Sequence, residues 1–198
     1  MSSHSLHCPD MNATDVRRRA AALPPDERRA AIVQATLPLL IEHGEMVTTR
    51  EIADAAGIAE GTIFRAFPDK DALIAAVVEA ALDTAPLDAA LEAIDPTLDF
   101  EPTLWQIVEL LQHRSIAIWR VMASVGMRVT DKPRPAPPVS EPIVAFLTTH
   151  RAELSIPPGE AAQLLRGLTM ALTHPQLVDE PTSPKRVVQL FLHGAGAH

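Results

Sequence analysis

Apolar residues recur along this chain at three- and four-residue intervals, and that spacing predicts helices wherever it is sustained. The first starts at Pro24-Pro25-Asp26-Glu27, where proline suits a first helical turn and acidic side chains suit its positive end, and runs to about His43. Ile32, Val33, Leu37, Leu40 and Ile41 form its stripe, Gly44 offers a left-handed stop, and Pro38 predicts a local bend rather than a break. From Val47 to Phe67 the pattern shortens. Thr48 or Thr49 can cap a helix whose inner face is Ile52, Ala53 and Ala56; Gly57 permits a tight turn and Ile58 packs inward. Ala59-Glu60-Gly61-Thr62 then starts a second short helix with Ile63 and Phe67 on its buried side. Two short helices joined by such a turn make a helix-turn-helix. Asp69 to Leu82 continues as a helix with Leu73, Ile74, Val77, Val78 and Leu82 as its apolar face.

Further along, a long helix is predicted from Glu101 to Val125, and two more over about Pro158 to Leu172 and Pro184 to Gly194. Pro86, Pro96, Pro102 and the stretch DKPRPAPPVSEP, Asp131 to Pro142, punctuate helical patterns rather than alternating strands, and the proline-rich stretch reads as a loop. The fold class is therefore all-α: an N-terminal three-helix helix-turn-helix domain followed by a C-terminal helical bundle. The expected division is a flexible arm over 1–23, a DNA-binding helix-turn-helix domain over 24–70, and a body over 71–198.

Composition refines this picture. With 198 residues and 47% hydrophobic content, the chain can bury a sizeable core, which excludes disorder throughout. No apolar run approaches a membrane span of roughly 18 residues, and Met1 to Asp10 is polar, so a soluble, cytoplasmic protein is expected. The single cysteine, Cys8, can make no intramolecular disulfide and has no companion at zinc-site spacing. Eight histidines are present, but none stands in HExxH, and no Gly-rich phosphate loop or serine-nucleophile motif appears. No catalytic residue, metal site or cofactor is predicted. The net charge of −8 at first opposes a nucleic-acid partner. Up to residue 70, however, 8 Lys and Arg face 10 Asp and Glu, whereas beyond it 9 face 15, so most of the acidity lies away from the helix-turn-helix. Arg17 to Arg19 in the arm read either as a solvated tail or as a basic segment touching phosphate or a minor groove, and Met11 is an alternative start.

The string TTREIADAAGIAEGTIFRAFPDKDALIAAV closely resembles the tetracycline-repressor (TetR) family of transcriptional regulators. The resemblance rests on Thr49 to Ala53, Ala56-Gly57-Ile58 at the turn, Gly61 to Phe64 in the second helix, and Phe67 to Leu73 after it, and it covers about a quarter of the chain. It implies a sequence-specific regulator of double-stranded DNA. Thr48 and Thr49 stand at the start of the first short helix, where Thr49 either caps or binds phosphate, and Arg50 reaches phosphate or a base edge. Glu60, Gly61, Thr62, Phe64 and Arg65 occupy the family's groove-facing region, with Arg65 the foremost base reader. Glu60 either accepts from a cytosine amino group or favours the helix N-terminus, and Lys70 resembles the family's phosphate-clamping lysine. Two departures stand out: Phe64 and Ala66 replace a usual Tyr and a frequent His, so two phosphate donors are missing or supplied elsewhere.

In the body, Trp105 and Trp119 are 14 residues apart and project from nearly the same helix face. They read either as core or, with His113, Met122, Met127 and Met170, as the wall of a pocket for a small apolar effector. Arg114 and Arg120 could orient a polar group there or lie on the surface. Leu164, Leu165, Leu168, Val187, Val188, Leu190 and Phe191 form apolar stripes that serve either the chain's own core or, as the resemblance implies, a homodimer interface. A palindromic operator released when effector binds is the expected mechanism. The rival is a DNA-binding dimer whose body has no sensor. An apolar cavity of roughly 300 Å³ or more enclosed between the fourth helix and the long Trp helix would favour the sensor, and a body packed solid the rival.

Overall fold

The computed structural model describes residues 24–125 and 139–194, and all its regular structure is helical. The arm, Met127 and most of the proline-rich stretch lie outside these residues. Nine α-helices follow one another among the described residues: α1 (Pro25–His43), α2 (Thr49–Ala56), α3 (Glu60–Ala66), α4 (Lys70–Leu82), α5 (Ala85–Glu92), α6 (Phe100–Ser124), α7 (Glu141–Thr149), α8 (Pro158–Ala171) and α9 (Pro184–His193).

Local chemistry explains most of the first four. Pro25 opens α1, and Pro38 leaves it unbroken. Gly44, at φ 59°, ends it in a backbone region that favours glycine, and a short 3-10 turn follows. Thr48, rather than Thr49, caps α2: its hydroxyl accepts from the Glu51 N–H at 3.2 Å while the Glu51 carboxylate accepts from the Thr48 N–H at 2.7 Å. Gly57, left-handed at φ 65°, ends α2, and Asp69 caps α4 by accepting from the Ala72 N–H at 2.7 Å.

Two hydrophobic clusters form the interior. The first holds Ile32, Val33 and Leu40 of α1, Ile52 and Ala53 of α2, Ile63 and Phe67, and Leu73, Ile74, Val77 and Val78 of α4. Val121 and Val125, at the far end of α6, complete it. The second gathers Leu91 of α5, Leu104, Ile107, Val108 and Leu111 of α6, Ile143 and Leu147 of α7, and the inner faces of α8 and α9. At 1.5 Å per residue the 25 residues of α6 span about 37 Å, long enough to serve both clusters. Between them the buried Gln112 donates from Nε2 to the Thr182 carbonyl at 2.7 Å and to Thr173 Oγ1 at 3.2 Å, tying α6 to the segment joining α8 and α9.

Two helices exceed the sequence expectation. α5 was hidden because it is eight residues long with Pro86 in its first turn. In α7, Glu141 and Pro142 start a helix where the pattern had suggested the end of a loop, since proline is well tolerated at a first turn.

Candidate nucleic-acid interface

The three-helix unit of α1, α2 and α3 presents the N-termini of α2 and α3 side by side. Thr49 Oγ1 donates to Glu60 Oε1, joining the first turns of the two helices. A phosphate taken by the Thr49 hydroxyl must displace that carboxylate, whereas the backbone N–H groups of Thr49 and Arg50, which precede the capped Glu51 N–H, have no intrahelical acceptor. Arg50 and Arg65 are exposed, and Gly61 has open space where a Cβ would stand, so backbone can approach a ligand closely there. Thr62 is half-buried. Phe64 is 51% exposed, an uncommon state for an aromatic, and it offers an apolar edge suited to a thymine methyl or a sugar in place of a hydrogen-bond donor.

Lys70 opens α4 and donates from Nζ to the Glu45 carbonyl at 2.5 Å, so its ammonium is held against the turn after α1. It thus closes the unit from one side. Arg29, which no motif singles out, closes it from the other: its guanidinium donates to the Ala66 carbonyl at 2.7 Å and stacks 4.0 Å over the Phe67 ring. These partners are 37 residues apart, and no local pattern announces such a contact. Within the cap of α2, the backbone and hydroxyl donors of Thr48 hold the Glu51 carboxyl below its ordinary range.

In the body, the candidate pocket residues do not converge. Trp105 is half-buried with the Lys185 ammonium 4.7 Å above its ring, and Trp119 meets the His174 ring edge-on with centroids 3.9 Å apart. Both therefore turn toward the C-terminal segment. His113 and Met170 are exposed, and Met122 packs against the first cluster. Leu165, Val187 and Val188 are buried within the protomer's own core, while Leu164 is 50% exposed and Leu168, Leu190 and Phe191 are half-buried.

Hollows occur elsewhere. A cleft of about 310 Å³ opens between α1, α4, α5 and α6, and its wall is largely apolar. Arg114 borders it, donating to the carbonyls of Leu82 and Asp83 at 2.8 and 2.5 Å and so capping the C-terminus of α4. A second hollow of about 260 Å³ lies by α5, α6 and α7, where Phe100, Phe146 and His150 stack on one another. A wider groove along α1 and α4 has charged walls of Asp26, Arg29, Glu79 and Asp83.

Residues 32–77 match the family model of bacterial regulatory proteins, tetR family. The fold is similar to that of the TetR-like regulator LfrR from Mycobacterium smegmatis, at TM-score 0.55 and 22% identity over 86% of this chain and 98% of that one. A TetR-family structure from Mesorhizobium loti matches at TM-score 0.55 and 16% identity, covering 86% and 98%. A transcriptional regulator from Rhodococcus sp. RHA1 matches at TM-score 0.52 and 18% identity, covering 86% and 94%. No curated protein sequence matches significantly. Residues 32–77 thus carry the helix-turn-helix of the tetR family of bacterial regulatory proteins, on a helical fold shared with solved TetR-like regulators.

Proposed function

We propose that this regulator is a homodimeric repressor that binds a palindromic operator and leaves it when a small apolar molecule occupies the body. The observation that carries the reading is the α2–α3 pair, which exposes Arg50, Phe64 and Arg65 together beside the α2 N-terminus, with Lys70 at the flank. Phosphate contacts at Thr49, Arg50 and Lys70 set register, and Arg65, with Gly61, Thr62 and Phe64 around it, reads base edges. Two such units must meet half-sites about one helical turn apart or a multiple of it, which requires a dimer. The exposed Leu164 and half-buried Leu168, Leu190 and Phe191 on α8 and α9 supply the self-complementary surface.

The ligand-released reading is supported over a sensorless dimer by the largely apolar cleft of about 310 Å³ between α4 and α6, which has the expected place and size but is open to solvent rather than enclosed. Support also comes from LfrR, which was solved in complex with proflavine. Because α4 shares the core of the DNA-reading unit while Arg114 ties its far end to α6, an occupant beside α4 can alter the spacing of two readers.

Selection of bound sequences from random duplex DNA tests this directly. A palindrome should be enriched; Arg65→Ala should lose sequence preference, and Lys70→Ala should weaken all sequences alike and lower the salt slope by about 1. Enrichment of no palindrome would overturn the proposal.

A further inference from the structure

We infer that the cleft between α1, α4, α5 and α6 binds a small amphipathic carboxylic acid, its chain along the alanine-lined wall and its carboxylate on Arg114. The assignment rests on the ligand-released reading above and gives it a site and a ligand class.

Position comes first. Leu37, Ala81 and Val121 on one side of the cleft pack on the reader's cluster, while Leu87 and Leu110 on the other pack on the body's. The cleft is thus the seam between the two cores. It stays open because Ala80, Ala81, Ala90 and Ala117 face it, and side chains of one carbon cannot fill the gap between helices. Ile41, 37% exposed on α1, lies at the same place, so a large apolar side chain is left facing water by the missing volume. An occupant here would touch α1 and α4 of the reader together with α5 and α6 of the body.

Charge then selects the ligand. The Arg114 guanidinium uses two of its five N–H groups on the Leu82 and Asp83 carbonyls, which leaves three. Among the described residues no carboxylate comes within salt-bridge distance of it. Asp83 and Asp88 are near enough to act through space, but Asp83 Oδ1 accepts from the Ala85 N–H at 3.1 Å and Asp88 Oδ1 from Ser140 Oγ at 2.6 Å. Each bond commits one carboxylate oxygen to a donor other than the guanidinium. Burial pushes the Arg114 pKa below its ordinary value, with the two acids acting in the opposite sense, and an arginine so placed still carries its charge. A partly desolvated cation beside an apolar wall is matched by an anion on an apolar chain, and a carboxylate can take two parallel N–H bonds from one guanidinium.

Titration calorimetry on the full-length protein with sodium octanoate, and in parallel with 1-octanol, reads binding; anisotropy of the selected operator duplex reads release. Octanoate should bind. Arg114→Gln should weaken octanoate at least tenfold and leave octanol within about twofold, whereas Arg114→Lys, which keeps the charge but not the paired N–H bonds, should bind octanoate more weakly than the wild type and more tightly than Arg114→Gln. Ala90→Leu, filling the wall without touching the charge, should weaken both compounds at least fivefold. The inference is overturned if octanoate fails to bind the wild-type protein, if Arg114→Gln and Arg114→Lys bind it alike, or if Ala90→Leu binds it as the wild type does. That last result would place the ligand elsewhere, for instance in the hollow by α5 and α7. Binding with the expected variant pattern but no loss of operator affinity would uphold the site and overturn the ligand-released reading instead.

Discussion

The DNA-reading unit and the body are both helical bundles, each tied by long-range bonds such as Arg29 to Ala66 and Gln112 to Thr182, yet their helices start differently. In the reader, α2 and α4 are closed by side chains three residues away, Thr48 with Glu51 and Asp69 with the Ala72 N–H. In the body, α5, α6, α7, α8 and α9 have no side-chain cap at their N-termini. Long-range bonds fix their neighbourhood instead: Gln112 reaches 70 residues to the Thr182 carbonyl, and Arg114 reaches back 32 to Leu82. Helix starts specified by neighbours in sequence can keep their shape while the surface they rest on changes.

The sharpest way to break this comparison is to ask whether the two cores melt separately. Phe67→Ala removes a ring that is 1% exposed in the first cluster and should cost about 3–5 kcal/mol; Leu104→Ala, fully buried in the second, should cost about 2–5 kcal/mol. Because α6 contributes Val121 to one cluster and Leu104, Ile107, Val108 and Leu111 to the other, both variants should shift one shared transition in scanning calorimetry. Two resolved transitions, with each variant moving its own, would show that α6 does not couple them.

The same contrast explains what could be read in advance. Ile52, Gly57, Ile63 and Phe67 announce the helix-turn-helix because their spacing and the turn glycine are local facts, and α1 to α4 appear within a residue or two of their expected ends. Thr48 rather than Thr49 as the cap was already one of the two readings. In the body, the long helix and the last two were visible as apolar periodicity, but α5 and α7 were too short for it to accumulate. The hollows could not be foreseen from Trp105, Trp119 or Met122, since a cavity is set by where small residues from distant helices meet, as Ala81, Ala90 and Ala117 do. Leu165, Val187 and Val188 show the complementary limit: a stripe of apolar residues does not say whether its partner is its own chain or a copy.

A smaller effect sharpens the junction between reader and body. Gly44 combines φ 59° with ψ −145°, and a Cβ there would stand 3.1 Å from the Ser124 carbonyl oxygen at the end of α6. Gly57 also has positive φ, 65°, but lies in the left-handed helical region with open space around it. Gly44→Ala should therefore cost about 1–3 kcal/mol, while Gly57→Ala should stay near about 1 kcal/mol. Urea titrations of the two variants give the difference. Equal losses would mean that α6 yields readily at Ser124 and that the turn after α1 is not held by the body.

The smallest effect compares one device used in both regions. Thr48 in the reader holds the Glu51 carboxylate through its backbone N–H and hydroxyl, and Thr97 in the loop before α6 does the same for Asp95. Each carboxyl is pulled below its ordinary pKa, chiefly by the backbone hydrogen bond and then by the hydroxyl. A carboxyl that is easier to ionise in the folded chain adds stability above its unfolded pKa, and that contribution disappears as pH falls through the folded value. Stability should accordingly decline on acidification below about pH 4. Thr48→Ala should lower stability by about 1 kcal/mol at neutral pH and reduce the dependence on pH in the acid range, since the cap and the hydroxyl donor are lost together. Thr97→Ala leaves every helix cap in place and removes only the hydroxyl donor, so its loss at neutral pH should be smaller, with the flattening reduced in proportion. Denaturant midpoints measured for both variants between acid and neutral pH settle the order. A larger loss for Thr97→Ala would mean that the loop before α6, and not the start of α2, depends more on its local hydrogen bonds, reversing the contrast between locally capped helices in the reader and uncapped helices in the body.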